Sequence, residues 1–487
     1  MIPNNGGQRA ERFRVYLETP RGRGVLPPSA AFGAAGGAAC GDRLLFAVWL
    51  EDREGVQTVR AGFEAAGCGA LTAAASAAVQ LVEGRPFLEA AQTTAAEIDR
   101  ELGGLSPAKA HAVELAEEGI HRALGAALTQ VTLPREERRV VVGLSGGVDS
   151  AVAAVLLKEQ GYRPVGVTFE LWRDPENDPQ RSCCSAQAVR SARRLARQLE
   201  IPHLTVDLRD RFRHAVVERW VEEHRTGLTP YPCLRCNGEV RFSALAAIAD
   251  NLGAPWIATG HYARLVKKDG KELVARGMDP RKDQSYPLAA LPEAVRSRLL
   301  LPLGGLKKGE VRGVAARLGL EVAGRPDSQD LCFLAGTTRE RLLARLGGIE
   351  AKEGPIQDRQ GKVLGRHRGF AGYTVGQRKG LGIGGKGPLF VLAVDPRQNA
   401  VVVGPREELL VRELPLVELH LYLPAVAIDG ARIRSRGAVL PAQLEAREGG
   451  ELLRFPQPVE RTAPGQLACL YSGEVVAGWG IIAGERP

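Results

Sequence analysis

One hexapeptide restricts the possible folds of this chain more than any other feature. Ser145-Gly146-Gly147-Val148-Asp149-Ser150 stands between an apolar run, Val140 to Leu144, and a helical pattern over Ala151 to Gln160. The apolar run reads as a buried strand, and two consecutive glycines allow a tight turn with close backbone approach. Successive N–H groups in such a turn, at the positive end of the following helix, can cradle phosphate. No lysine precedes Ser150, so this is not the G-x-x-x-x-G-K-[ST] loop. A strand at Pro164 to Phe169, a helix over Ala186 to Leu199 and a strand at His203 to Leu208 continue the rhythm, which predicts a doubly wound parallel α/β sheet.

The chain has 487 residues, enough for about three domains. Before the sheet, Leu44 to Val48 and Val56 to Phe63 read as strands around a turn at Asp52 to Gly55, with Ala-rich helices following through Leu128. A small α+β unit is expected there. After Gly347 the texture turns to short β-rich runs with many Gly and Pro, as expected of small barrels. The expected division is 1–130, a linker at 131–138, the sheet domain at 139–345, a small β domain at 346–410 and a C-terminal β-barrel at 411–487. Charge divides similarly: residues 1–130 hold 12 Lys and Arg against 15 Asp and Glu, and the remainder holds 53 against 41. A polyanion is thus the expected partner of the second part. No apolar run approaches the roughly 18 residues of a membrane helix, and Met1 to Arg14 is polar, so a cytoplasmic protein without a membrane partner is expected.

The hexapeptide resembles the PP-loop of the ATP pyrophosphatases, which transfer AMP to a carbonyl oxygen. That resemblance implies that Gly143, Leu144, Ser145, Gly146, Gly147, Val148, Asp149, Ser150, Phe169 and Gly260 bind ATP. It gives Asp149 a catalytic part, helping to hold Mg²⁺. PP-loop enzymes include amide-forming synthetases as well as tRNA-thiolating enzymes, so the loop alone leaves the substrate open.

Eight cysteines are too few for a disulfide scaffold and point to metal or sulfur chemistry. Cys233-Leu234-Arg235-Cys236-Asn237 follows Thr229-Pro230-Tyr231-Pro232, and Cys332 lies in Asp327-Ser328-Gln329-Asp330-Leu331-Cys332-Phe333. With Ala258 to Tyr262, Lys282 to Tyr286 and Thr374 to Gly382, these segments resemble the bacterial tRNA-uridine 2-sulfurtransferase family over about residues 139–487. The resemblance implies adenylation of the wobble-uridine C2 carbonyl, with Cys332 carrying a persulfide and Cys236 attacking or resolving it. It implies tRNA contacts at Tyr231, Pro232, His261, Lys282, Asp283, Gln284, Arg434, Ser435 and Gln466, and a sulfur donor such as a cysteine desulfurase. Many members carry Asp where this chain has Cys233. Cys233, Cys236 and Cys332 together offer three thiolates to a [4Fe–4S] cluster, although a Cys-x-x-Cys also suits a redox pair or half a zinc site.

In the first unit, Ala39-Cys40-Gly41-Asp42, Gly67-Cys68-Gly69 and Lys109-Ala110-His111 resemble the U-type iron–sulfur scaffold family (IscU and the NifU N-terminal domain) over about residues 8–128. That resemblance puts Cys40, Asp42, Cys68 and His111 on metal-ligand positions. The family's third cysteine, directly after the histidine, is Ala112 here. Three readings follow: a site completed by Asp42 and His111, a sulfur- or cluster-transfer adaptor, or a docking module. Arg190, Arg193, Arg194 and Arg197 are candidate phosphate contacts or ordinary solvated charges; Cys183 and Cys184 have no assigned role. Two other functions fit parts of the pattern, a PP-loop synthetase acting on a small molecule and a non-catalytic iron–sulfur carrier.

Overall fold

The computed structural model describes residues 5–36, 41–174, 186–320, 331–384, 387–447 and 450–484, so Cys40, Cys183 and Cys184 lie outside the described residues. The first unit is an antiparallel meander of β1 (Ala31–Gly36), β2 (Arg43–Arg53) and β3 (Val56–Ala66). Arg53 pairs with Val56 across a two-residue turn in which Glu54 and Gly55 have φ of 55° and 80°. This left-handed pair matches the twist of the flanking strands, and the Gly55 N–H donates to Asp52 Oδ1 at 2.9 Å. Helices Asn5–Glu18, Gly69–Val82, Phe87–Ala90, Ala95–Leu102 and His111–Ala127 complete the unit. Small residues let them approach closely: a Cβ on Gly33 of β1 would lie 2.1 Å from the Ala123 nitrogen.

The second unit carries the expected sheet. Strands β4 (Arg139–Gly143), β5 (Arg163–Glu170), β6 (His203–Asp207) and β7 (Trp256–Thr259) are all parallel. After the hairpin β8 (Ala263–Lys268) and β9 (Lys271–Arg276), β10 (Leu299–Leu300) closes the order β10-β7-β4-β5-β6. Helices Val148–Glu159 and Ala186–Gln198 pack against one face, burying Val140, Val142, Ala154 and Ala192. Helix Phe242–Asn251 covers part of the other face beside Val141 and Ile257. The rest of that face, over β5 and β6, is covered by the first unit's helix His111–Ala127. Its Ala123, Leu124 and Ala127 share one core with Val165, Val167 and Leu204.

This packing needs Gly125, where a Cβ would lie 1.8 Å from the Thr205 carbonyl oxygen of β6. Arg122 forms a two-pronged ion pair with Glu170 at 2.6 and 3.2 Å. The segment expected to be a linker is also fastened down, since Leu133 N and Glu136 N each donate at 2.9 Å, to Asn251 O and Gly253 O. Beyond the sheet domain, a four-stranded sheet spans Gly354 to Gly404 and a larger antiparallel sheet takes the strands from Leu410 to Ile482. The hairpin β8–β9 joins this last sheet, Ala275 pairing with Val475.

Candidate active site

The hexapeptide connects the C-terminal end of β4 to helix Val148–Glu159. Gly260 and His261 follow β7, the neighbour of β4. Strand order reverses between these two strands, and crevices at such reversals are where open α/β sheets bind ligands. Gly146 has φ of 73°, and a Cβ there would lie 2.5 Å from the Ala188 carbonyl oxygen, so the loop tucks against the first turn of helix Ala186–Gln198. Ser150 Oγ lies 3.2 Å from the Ser145 nitrogen, the Ser145 hydroxyl and the Gly147 carbonyl, which folds the loop around the start of its helix. Gly260 fits beneath it, where a Cβ would come within 2.6 Å of Ser150 N. Leu144 is anchored by its N–H to Val167 O at 2.8 Å, and Phe169 lies at the end of β5.

Asp149 has two side-chain partners, Tyr262 from the Ala258–Tyr262 segment and Lys308, which no motif announces. Lys308 Nζ lies 2.6 and 2.8 Å from its carboxylate oxygens, and the Tyr262 hydroxyl donates to Oδ1 at 2.7 Å. Lys308 opens helix Lys308–Arg317, its N–H donating to Asp279 Oδ2 at 3.1 Å. Lysine, carboxylate and backbone N–H groups thus converge at the sheet end, the charge pattern suited to a metal-chelated polyphosphate.

The two principal cysteines converge by folding. Cys236 is buried in a cluster with Phe212, Trp220, Val240 and Phe333, and Cys332 packs on the same cluster from the turn Cys332–Leu334. Phe169 borders this cluster, so the cysteine pair adjoins the strand end that faces the nucleotide loop. Cys233 has a different environment: the Tyr231 hydroxyl contacts both its thiol and Ser435 of the C-terminal sheet region. Burial and the neighbouring thiol raise the Tyr231 phenol well above its ordinary range. Tyr231 meets Tyr286 edge-on at 5.0 Å, and Pro232 opens the short helix Pro232–Arg235.

The residues expected to touch tRNA divide into two kinds. Arg434 and Ser435 are partly or fully exposed, as a contact requires, although Arg434 also donates to Arg461 O at 2.9 Å. Lys282 is half-buried. Asp283 is 1% exposed and accepts from Gly277 N, Ser285 N, Ser285 Oγ and Arg432, so it ties the sheet domain to the C-terminal sheet. Gln284 accepts from Tyr262 N at 2.9 Å, and Gln466 donates to Thr229 O at 2.6 Å. His261 bonds Thr259 Oγ1 at 2.8 Å, and burial with the nearby Arg241 lowers it to about 4, leaving a neutral imidazole. Arg193 is 2% exposed and Arg197 pairs with Glu117 at 3.0 Å; neither is a free surface charge awaiting RNA.

Three of the four expected ligands in the first unit meet. Cys68 Sγ is 3.4 Å and His111 Nε2 3.2 Å from Asp42 Oδ2, and one ligand atom from each residue falls within a 4.8 Å group. Asp42 is buried, and Gly67 is required beside it because a Cβ would lie 2.1 Å from Asp42 Oδ1. A carboxylate, a thiol and an imidazole at this spacing suit a transition-metal ion. Among the described residues no other set of three His, Cys, Asp or Glu meets that criterion; Cys233, Cys236 and Cys332 do not. The criterion fits ligands around one ion, whereas a four-iron cluster spreads its thiolates more widely.

Sequence profiles match all four units: the NifU-like N terminal domain at 11–131, the tRNA methyl transferase HUP domain at 138–336, the tRNA methyl transferase PRC-barrel domain at 346–405 and the aminomethyltransferase beta-barrel domain at 427–482. The chain is 41% identical over 489 residues to the bifunctional protein NifU/MnmA of Rubrobacter xylanophilus, covering 97% of this chain and 98% of that one. It is 44% identical to the tRNA-specific 2-thiouridylase MnmA of Moorella thermoacetica, covering 70% of this chain and 98% of the relative. The corresponding enzyme of Acidithiobacillus ferrooxidans is 42% identical over 72% of this chain. The glycine loop at 145–150, the converging cysteines and the three-residue Asp42–Cys68–His111 group all lie within matched segments, and the chain belongs to the bifunctional NifU/MnmA family, a NifU-like domain joined to a tRNA 2-thiouridylase.

Proposed function

We propose that this chain uses ATP to activate the C2 carbonyl of the tRNA wobble uridine and replaces its oxygen with sulfur. The observation that carries this reading is the shared cluster on which Cys236 and Cys332, 96 positions apart, pack beside the strand end facing the nucleotide loop. The uridine oxygen attacks the α-phosphorus of ATP, and pyrophosphate leaves with the loop N–H groups stabilising its charge; a bound Mg²⁺ would add positive charge there. Asp149 is the residue that would hold Mg²⁺, and Lys308 lies where it can meet a phosphate. A poor leaving group has then become AMP. The terminal sulfur of a persulfide on Cys332 bonds to C2 and expels AMP. The Cys236 thiolate next attacks Cys332 Sγ, releasing thiouridine and leaving a disulfide that an external thiol reduces. The cysteine pair and pyrophosphate-type loop serve sulfur transfer and offer no role to a methyl donor.

A second sulfur route uses Cys233, Cys236 and Cys332 as ligands of a [4Fe–4S] cluster, whose fourth iron would offer a place for sulfide. Cys233 favours it by chemistry, as a third thiol where many relatives carry Asp. The Tyr231 contact supports the two-cysteine route, since it gives the Cys233 thiol a hydrogen-bond partner of its own. The Asp42–Cys68–His111 site supports a role for the first unit in receiving metal or sulfur, with a cysteine desulfurase as the proposed donor.

Cys233→Ala separates the routes. A cluster ligand lost should remove both the brown absorbance of anaerobically reconstituted protein and its thiolation of tRNA. A bystander lost should leave thiolation, with Cys236 and Cys332 forming a disulfide after one turnover without reductant. Loss of thiolation in neither Cys236→Ala nor Cys332→Ala would refute the proposed function.

A further inference from the structure

Where the first unit meets the sheet domain, the structure forms a half-open cavity of about 540 Å³. Thr93, Glu117 and His121 line it from one side, Arg193, Arg197 and His203 from the other. We propose that this cavity binds a small oxyanion of the phosphate or sulfate class, seated on Arg193 and Arg197.

The argument is one of charge and unmet hydrogen bonds. Both guanidinium groups share a single buried carboxylate, Arg197 at 3.0 Å and Arg193 at 3.7 Å from Glu117. Glu118 also acts on Arg193 but pairs with Arg122 at 2.6 Å, so the buried Arg193 and the partly exposed Arg197 share Glu117 as ion-pair partner, two positive groups to one carboxylate. The other acidic groups of the lining are committed or peripheral. Glu97 accepts from Thr94 in its helix cap at 2.8 and 3.0 Å, while Glu89 and Glu200 are exposed, with Arg85 and Arg100 beside them on the rim.

Besides Glu117 Oε1, which faces Arg197 Nη2 at 3.0 Å, four lining residues carry buried polar atoms without a hydrogen-bond partner among the described residues: Arg193 Nε and Nη2, Arg197 Nε, Thr93 Oγ1 and His203 Nδ1. The guanidinium and hydroxyl atoms can donate, whereas His203 Nδ1 accepts, since His203 Nε2 faces the Thr168 hydroxyl, whose proton goes to Leu144 O at 2.8 Å. A negatively charged ligand rich in acceptors, such as a hydrogen phosphate whose O–H can meet Nδ1, suits that set; a cationic one does not. His121 does not compete, because both its ring nitrogens already face carbonyl oxygens, of His203 at 2.9 Å and Thr93 at 2.8 Å. The volume exceeds that of one ion, so a small phosphate ester fits where a duplex nucleic acid does not.

Calorimetric titration of the full chain with inorganic phosphate tests the proposal, with the nucleotide loop saturated by Mg²⁺ and a non-hydrolysable ATP analogue, and with sodium chloride of equal ionic strength as the control. Phosphate should bind at one further site. Arg193→Gln should weaken it about tenfold or more, the loss of a charged hydrogen-bond partner, and the isosteric Thr93→Val about fivefold. Heat no greater than the chloride control, or equal affinity in the wild type and both variants, would overturn the assignment. Should Arg193→Gln fail to fold, Thr93→Val decides alone.

Discussion

Asp149 shows how far single residues could be read in advance. Its place in the loop was legible, because six local residues specify that turn; its partner Lys308 was not, since 159 positions and no motif connect them. The pair makes a prediction. Asp149→Ala should abolish thiolation yet leave tRNA affinity within about twofold, and Lys308→Met should lower the single-turnover rate about a hundredfold, the usual cost of one electrostatic contact in a polar transition state. Rapid-quench assays at saturating tRNA measure both. His224 gives a second prediction. It is 5% exposed, and burial depresses it from 6.5 to about 4. Below pH 6.5 the unfolded chain takes up a proton that the folded chain refuses until about pH 4. Stability from this group is therefore complete above pH 6.5 and is lost between 6.5 and 4, by up to about 1.4 kcal/mol per pH unit. His224→Gln should flatten that part of the curve of thermal midpoint against pH.

At the scale of elements, periodicity recovered three strands of the parallel sheet, β4, β5 and β6, and the hairpin of the first unit, where branched apolar residues alternate or run together, but not β7 or β10. It missed β1, Ala31–Gly36, because small residues without β-branching form a strand only when their neighbours supply the packing. The hairpin β8–β9, which the sequence does not announce, extends the C-terminal sheet from within the sheet domain's segment; local sequence carries no record of such a long-range partner. Close approach between elements is equally invisible until the fold is known. Gly125→Ala would drive a methyl group into the Thr205 carbonyl, 1.8 Å away. The helix must then lift from β6, and the expected loss is about 1–3 kcal/mol, read as a lower thermal midpoint by calorimetry. Gly67→Ala should act locally instead, displacing Asp42 and reducing zinc or iron binding by the first unit while leaving the global midpoint within a few degrees.

Across the whole molecule, the sign of charge was legible and the rigidity of the assembly was not. Binding of tRNA to the full chain should weaken steeply with salt, with a log–log slope of several units reflecting phosphate contacts on the basic part. Acidic-to-neutral changes on exposed faces of the first unit should leave that slope unchanged in filter-binding assays. The linker is fastened by Leu133 and Glu136 to Asn251 and Gly253, and one helix, His111–Ala127, belongs to two structures at once. Its first residue completes the Asp42–Cys68–His111 site; Gly125, fourteen positions later, touches β6. At 1.5 Å per residue those ends stand about 21 Å apart, and each residue turns the axis by about 100°. The helix is therefore a gauge of fixed length and phase. Inserting a single residue between Glu114 and Ile120 would swing the imidazole away from its carboxylate or pull the helix off the sheet, so sequence drift here can proceed by substitution but not by insertion or deletion.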